Sequence, residues 1–199
     1  MRCSFNSLFL KSFVEISGFC HVQSSFLFNN KQVVIVIGQD GLVANTAKYV
    51  NGIPIIATNP DIERYDGVLL PFNSDNFIFA VEQVIAQQFN TNIATLAEAR
   101  LNDGQRLLAF NDLFIGAASH ISARCRIAYQ QQSEEQSSSG IIVSTKAGST
   151  GWMSSIVNMS FAIQQFIEPR PCEKSITTLE NNQLMFAVRE PFQSKQTTN

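Results

Sequence analysis

Three short polar stretches interrupt apolar runs of this chain, and the first of them places a carboxylate between two glycines. It is Gly38-Gln39-Asp40-Gly41, directly after the β-branched run 32–37 (QVVIVI). Glycines at the end of a strand let the backbone approach an anion, and the free amides of a following helix point at it. A carboxylate beside a phosphate is unfavourable unless it accepts a proton from a hydroxyl or holds Mg²⁺. The stretch thus indicates a phosphate-binding turn with a catalytic Asp40, or an Asp40 that only caps the helix.

The second stretch is Asn111-Asp112, within the otherwise apolar segment 107–116 (LLAFNDLFIG). Two adjacent polar side chains in a run that should be buried have two interpretations. One of them faces a cleft and forms a hydrogen bond with a ligand, or the pair marks a β-bulge or the end of a strand.

The third stretch, 138–152 (SSGIIVSTKAGSTGW), places hydroxyls and glycines directly after a short apolar strand. Ser144-Thr145 and Gly148-Ser149-Thr150-Gly151 offer side-chain hydroxyls and backbone amides that suit a nucleotide or a phosphate. The alternative, a flexible surface loop, fits poorly because Trp152 and residues 156–157 are expected to continue as a buried helix.

The elements that position the first stretch alternate between strand and helix. Apolar runs predict buried strands at 32–37, 52–60 and 66–72. Apolar side chains recur at helical spacing over 42–51 and over 76–89, the second helix being capped by Ser74 or Asp75. This alternation indicates an α/β layer.

From about residue 92 the pattern changes to short antiparallel strands. Asn102-Asp103-Gly104 predicts a hairpin turn, and strands are expected in SARCRIAYQ, GIIVSTKAG and NQLMFAVREPF. The polar tract 130–139 is interpreted as a solvated hairpin loop. We therefore place an α/β part at 1–93 and a β-rich part at 94–199.

The composition limits the class of protein. The chain has 199 residues, 45% hydrophobic and 15% charged, with a net charge of −2. Without a basic surface, nucleic acid is not an expected partner. Four scattered cysteines without a CxxC pair indicate reduced cytosolic thiols rather than a zinc site or disulfides. No apolar run reaches about 18 residues, so no membrane span is expected.

The first 30 residues, rich in Phe and Ser, are interpreted as a helix or strand that packs against the next strand. The alternative is a targeting segment.

Together and in this order, the three stretches resemble the motifs of the NAD kinases, within the NAD kinase and diacylglycerol kinase superfamily. The family pattern is GGDGT after a strand, an Asn-Glu pair, and a DG…STPTGSTAY-like segment. Here these read Gly38-Gln39-Asp40-Gly41-Leu42, Asn111-Asp112, and Ser139-Gly140 through Ser144-Thr145 to Gly148-Ser149-Thr150-Gly151-Trp152. The Gly-Ser-then-Trp spelling and the Arg-Glu-Pro segment after LMFAV are similar to the divergent, mitochondrial-type branch. The resemblance covers roughly residues 32–192.

The resemblance implies a Rossmann-like α/β part followed by a β-sandwich-like part, with the active site between them. It implies a kinase, a transferase that moves the terminal phosphoryl group of ATP to the 2′-hydroxyl of NAD to give NADP, with Mg²⁺. Asp40 matches the family aspartate that activates this hydroxyl, and no residue is assigned as a metal ligand. The implied nucleotide-binding residues are Gly38, Gln39, Gly41, Asn111, Asp112, Thr145, Gly148, Ser149, Thr150 and Gly151. Small-molecule nucleotides, a homo-oligomer and a cytoplasmic location are expected, with organellar targeting by the N-terminus as the alternative.

Several positions depart from the family pattern. Gln39 replaces a glycine, Leu42 a threonine and Ser139 an acid, while Lys146 and Ala147 stand in a Pro-Thr-like position. Fewer residues flank the motifs than in the family, so we expect a truncated chain with an incomplete β-rich part. The alternatives are a related kinase acting on a sugar or lipid hydroxyl, and a non-catalytic or degenerate nucleotide-binding relative.

Overall fold

The computed structural model describes residues 3–7, 13–16, 28–29, 32–129, 131–168 and 179–193, with side chains from residue 28 onward. The chain divides into two compact units, Phe5–Glu98, and Met1–Ser4 with Ala99–Asn199. Strand β1 (Cys3–Ser7) belongs to a three-stranded sheet with two later strands.

A four-stranded sheet with helices follows along the chain, and it is parallel throughout, with the strand order β2-β3-β4-β5. The elements are β2 (Phe13–Ile16), β3 (Val33–Ile37), α1 (Asp40–Ala47), β4 (Ile55–Asn59), β5 (Phe72–Asn73) and α2 (Phe77–Ile85). The predicted α/β layer is confirmed, and so is the prediction that part of the N-terminal region pairs with the next strand. A targeting role for this region falls largely on residues outside those described.

The core of this sheet explains why the β-branched run became a strand. Val33 packs with Ile56 of β4 and Ala80 of α2, and all three are buried. Four partly buried apolar side chains surround this cluster: Ile35, Phe72, Val81 and Val84. A central parallel strand is covered on both faces, so a continuous apolar run is what such a strand requires.

Two local predictions for this part of the chain were wrong. Of the predicted strand 66–72 only Phe72 lies in a strand, β5, because Gly67 has a φ of +64° and its carbonyl accepts the Leu70 N–H at 3.0 Å, which makes a turn. Neither Ser74 nor Asp75 caps α2, which begins after Asn76. The side chain of Asn76 instead accepts the Asn73 N–H at 2.7 Å, in a turn that precedes the helix.

From residue 95 onward the chain is mostly strands. They are β6 (Thr95–Arg100), β7 (Arg106–Ala109), β8 (Asp112–Ile115), β9 (Ala123–Tyr129), β10 (Gln132–Ser138), β11 (Gly140–Ser144) and β12 (Met185–Arg189), with helix α3 (Trp152–Ile167) between the last two. The strand orders are β1-β6-β7, β10-β9 and β12-β11-β8, and the last two sheets are antiparallel. The predicted turn at residues 102–104 is confirmed. A packing of these sheets as a sandwich stays a prediction.

The polar tract 130–139 is mostly a strand rather than a solvated loop. Gln132–Ser138 pairs in full register with β9, and both Gln136 and Ser138 are buried. Backbone pairing with an adjacent strand satisfies the ladder whatever the side chains are, so a polar sequence can still form one strand of a hairpin.

Helix α3 is confirmed as a helix, but the expectation that it is buried was wrong. Of its sixteen residues only Met153 is buried, and Trp152 is 41% exposed. Within the described residues no helix is both long and apolar enough to cross a membrane. Cys125 carries a free thiol. The side chains of Cys3, Cys20 and Cys172 lie outside the described residues.

Candidate functional site

The Asp40 turn, which we define as residues 38–41, joins β3 to α1 at the carboxyl end of a parallel strand. Gly38 extends the sheet by one further hydrogen bond, its N–H donating to the Thr58 carbonyl at 3.2 Å. Gln39 is the N-cap residue, and Asp40 is the first residue of the helix. Ligands of open parallel sheets bind beyond the carboxyl ends of the strands, so the turn lies where such a site is expected.

The Asp40 carboxylate accepts two backbone hydrogen bonds from a turn 28 residues further along the chain. Its Oδ2 accepts the Val68 N–H and its Oδ1 the Leu69 N–H, both at 3.0 Å. Asp40 therefore does not cap its own helix, and the capping interpretation was wrong in that form. A carboxylate has about four lone-pair sites, so each oxygen keeps one for another donor. The two amides fix the orientation of the carboxylate and leave part of its hydrogen-bond acceptor capacity free.

The two glycines of the Asp40 turn differ in the space around them. A Cβ on Gly41 would meet no atom within 4 Å, whereas a Cβ on Gly38 would lie 3.0 Å from Leu42 Cδ2. The open space at Gly41 is compatible with a phosphate close to the first turn of α1. The side chain of Gln39 is exposed at the same turn. The phosphate-binding role of Gly38, Gln39 and Gly41 stays a prediction.

The Thr145 turn, residues 145–151, is held to the segment 110–112 by hydrogen bonds of Thr145. Its hydroxyl donates to the Phe110 carbonyl at 2.6 Å and accepts the Gly148 N–H at 3.1 Å. Its backbone N–H donates to the Asn111 carbonyl at 2.9 Å. Thr145 is fully buried, and these bonds bring two stretches that lie more than 30 residues apart into direct contact.

Gly148 is the point of closest approach in this contact. A Cβ there would overlap the Asn111 carbonyl oxygen and lie 2.7 Å from Asp112 Oδ1. Ser149 also serves the turn, since its hydroxyl donates to the Lys146 carbonyl at 2.7 Å. The Gly151 N–H donates to the Gly148 carbonyl at 2.9 Å. Steric fit alone therefore requires the glycine at 148.

Three polar groups at the Thr145 turn are not used to hold it together. Asp112 lies opposite Ser144 on the neighbouring strand, and its buried Oδ1 has no hydrogen-bond partner within the described part of the chain. Burial raises the pKa of the Asp112 carboxyl, which a hydrogen bond with Ser144 partly opposes. The side chains of Asn111 and Thr150 are exposed. The exposed side chains of Asn111 and Thr150 are accessible to a ligand, whereas the hydroxyls of Thr145 and Ser149 form the framework of the turn.

Next to this turn lies an aromatic cluster that the sequence analysis did not assign to the site. The Trp152 ring stacks on Phe114 at 5.6 Å between centroids, and the Arg189 guanidinium carbon lies 5.5 Å from the Trp152 centroid. Trp152 and Phe114 are 41% and 46% exposed, so they offer a planar apolar surface at the start of α3. Trp152 directly follows Gly151 in the sequence, and this adjacency is the feature from which its position beside the turn could have been predicted.

Neither turn forms a preassembled metal site. Among the described residues no three His, Cys, Asp or Glu side chains cluster closely enough to hold a metal ion. The donor set does not fit a resident Mg²⁺ cage, and we derive no step through one.

The comparison with known proteins rests on structure rather than on sequence. The chain matches no known protein family profile, and no curated protein sequence matches it significantly. The fold is similar to that of yeast NADH kinase, whose crystal structure was solved in complex with NADH, with a TM-score of 0.53 and 14% sequence identity. The match covers 81% of this chain and 45% of the yeast protein, so the chain spans less than half of that relative's length. The chain thus has an NAD kinase-like fold.

Proposed function

We propose that this protein is an NAD kinase-like phosphotransferase that moves a phosphoryl group from ATP to the 2′-hydroxyl of NAD and gives NADP. The observation that carries the proposal is the contact between Asn111-Asp112 and the Thr145 turn, because the motif order predicted a shared site for these two distant stretches. The NAD kinase-like fold supports it. In this proposal ATP and NAD are substrates, and Mg²⁺ arrives with the phosphates of ATP.

The proposed role of Asp40 rests on the resemblance of its turn to the NAD kinase motif, and the geometry of the carboxylate is compatible with that role. The acceptor hydroxyl of NAD would donate a hydrogen bond to a remaining lone pair of the carboxylate and lose its proton to it. The hydroxyl oxygen then bonds to the γ-phosphorus of ATP, the bond from that phosphorus to the β–γ bridging oxygen breaks, and ADP leaves. The amides of Val68 and Leu69 hold the carboxylate in one orientation, which removes a reorganisation cost from the step.

The proposed dinucleotide contacts come from the groups that the Thr145 turn leaves free. Asn111 and Asp112 would bond the ribose and base edges, and Thr150 would add a hydroxyl. Thr145, Gly148, Ser149 and Gly151 would act by fixing the shape of the pocket. In such reactions most of the rate enhancement comes from positioning and electrostatics rather than covalent chemistry.

The test is an assay for NADP formation from ATP, Mg²⁺ and NAD by the full chain. We expect wild-type turnover and a loss of about 100-fold or more in Asp40→Asn, which cannot accept the proton. Asp66→Asn, an exposed carboxylate at the same loop, is the matched control and should keep full activity. A folded wild-type protein that produces no NADP would overturn the proposal.

A non-catalytic nucleotide-binding protein is the second candidate, and the hydrogen bonds of Asp40 favour it. If the carboxylate serves only to hold the turn at Val68 and Leu69, the nucleotide would bind without reacting. Calorimetry with NAD and with ATP separates the two functions. Binding without turnover identifies the second candidate, and turnover that disappears in Asp40→Ala excludes it.

A further inference from the structure

We propose that the groove beside the β9–β10 hairpin is a binding site for a small organic phosphate of the size of a nucleoside monophosphate. The groove has a volume of about 850 Å³ and is lined by the last residue of β8, the segment after it, the start of β9 and one residue of β10. Ligand pockets for small molecules fall in the range of roughly 300–1,000 Å³, so the groove has room for a base, a ribose and a phosphate.

The polar groups that line this groove are all suited to an anion. Arg124 and His120 supply nitrogen donors, and Ser122 and Ser137 supply hydroxyls. None of the described residues that line the groove is an Asp or Glu. A guanidinium forms two parallel hydrogen bonds with a phosphate, a geometry that a single ammonium does not provide. The donor set therefore favours phosphate recognition.

The remaining surface of the groove is apolar and suits the body of an organic ligand. Ile115 and Ile121 line it, and Ile121 is 72% exposed. An exposed apolar side chain beside the Arg124 guanidinium matches a ligand with an apolar ring at one end and a phosphate at the other. Inorganic phosphate alone would leave this surface uncovered.

Among the described residues, Arg124 differs from the neighbouring Arg126 in that its guanidinium is free to bind an anion. Arg126 Nε donates to Glu135 Oε1 at 2.6 Å, across the β9–β10 hairpin. Arg124 lies on the same face of β9, opposite Ser137, and has no ion-pair partner within the described part of the chain. The two arginines therefore differ in pairing but not in type, strand or face.

None of the described residues that line the groove belongs to the Thr145 turn or to Asn111-Asp112. The groove begins at Ile115, at one end of β8, whereas Asp112 lies at the other end and pairs with Ser144. Three residue steps of an antiparallel strand span about 10 Å. Binding in the groove does not depend on the proposed phosphoryl transfer, and it can be measured in a protein that produces no NADP.

The experiment is a titration of the ¹⁵N-labelled full chain with AMP, followed by NMR. We expect shifts of the amides of residues 115–125 and 137, with adenosine and inorganic phosphate each binding more weakly than AMP. Arg124→Gln should weaken AMP binding about tenfold or more, since a charge-assisted hydrogen bond is lost. Arg126→Gln is the matched control and should bind AMP as the wild type does.

Each other outcome overturns the proposal. An equal loss of affinity in both arginine variants would indicate non-specific attraction to the hairpin. Shifts confined to residues 111–112 and 145–151 would place AMP at the candidate functional site instead. Equal affinity for adenosine and AMP would exclude phosphate recognition, and an absence of shifts would exclude binding.

Discussion

The Asp40 turn and the Thr145 turn both follow an apolar strand, both contain glycine and both precede a helix, yet they are built in opposite ways. At the Asp40 turn a Cβ on Gly41 would meet open space, and one carboxylate forms the connection to a distant turn. At the Thr145 turn a Cβ on Gly148 would overlap the backbone, and the hydroxyl at its centre is fully buried. Glycine thus leaves open space in the Asp40 turn and permits close packing in the Thr145 turn.

This difference separates a glycine with open space beside it, Gly41, from a glycine that close packing requires, Gly148. A tightly hydrogen-bonded turn keeps its shape before a ligand arrives, which lowers the ordering cost of binding. The open space of the other turn contributes to binding only when a ligand occupies it. Substitutions at the Thr145 turn should therefore act on stability, and substitutions at the Asp40 turn should act on nucleotide binding.

The largest effect is expected from Gly148→Ala. The new methyl group would overlap the Asn111 carbonyl and approach Asp112, so the contact between the two stretches has to open. We expect a loss of about 3 kcal/mol in the free energy of unfolding, as for overpacked buried sites. Urea denaturation measures it, and a variant as stable as the wild type would show that the contact is loose.

A smaller loss is expected from Thr145→Val, which keeps the shape and removes the hydroxyl. The Phe110 carbonyl loses its donor and the Gly148 N–H loses its acceptor, both in buried surroundings. We expect a loss of about 2 kcal/mol. Thr145→Ser keeps the hydroxyl and is the control. If the serine variant is as unstable as the valine variant, packing rather than hydrogen bonding holds the turn.

The counterpart at the Asp40 turn is Gly41→Ala, which should leave the fold intact. Gly41 lies in the first turn of α1, and alanine is favoured over glycine in helices by up to about 1 kcal/mol. The melting temperature should therefore stay equal or rise slightly. Affinity for ATP should fall, because the methyl group occupies the space proposed for a phosphate. Unchanged affinity by calorimetry would remove the ligand role of this glycine.

The smallest effect is expected from Asp112→Asn, through its pH dependence. Burial raises the pKa of Asp112 in the folded state, so the folded protein holds this proton more tightly than the unfolded chain does. Its contribution to stability is greatest below about pH 4 and declines as the pH rises through the raised pKa. Asparagine does not titrate, so the variant should gain stability relative to the wild type between acidic and neutral pH. The measurement is the melting temperature of both proteins at several pH values in this range. A constant difference between the two melting temperatures would contradict the raised pKa of Asp112.

Most elements of the fold could be predicted from local pattern. The β-branched run 32–37 became β3, the apolar spacing of 76–89 contained α2, and Asn102-Asp103-Gly104 formed a turn. The wrong predictions fell on segments whose sequence pattern is compatible with either a strand or a turn. Most of the apolar segment 66–72 became a turn at Gly67, and the polar tract became strand β10 because its backbone pairs with β9.

The sequence by itself determined where the three polar stretches lie and in what order, because glycines, hydroxyls and apolar strands are local features of the chain. Tertiary structure decided which of their atoms are occupied. Asp40 is bound by the backbone of Val68 and Leu69, and the Thr145 hydroxyl by that of Phe110, 35 residues away. Backbone amides and carbonyls are the same at every position, so no sequence pattern reveals which distant one a side chain will reach. Only the packed chain distinguishes the hydroxyl of Thr145, which holds the turn, from the carboxylates of Asp40 and Asp112, whose oxygens keep unused acceptor sites.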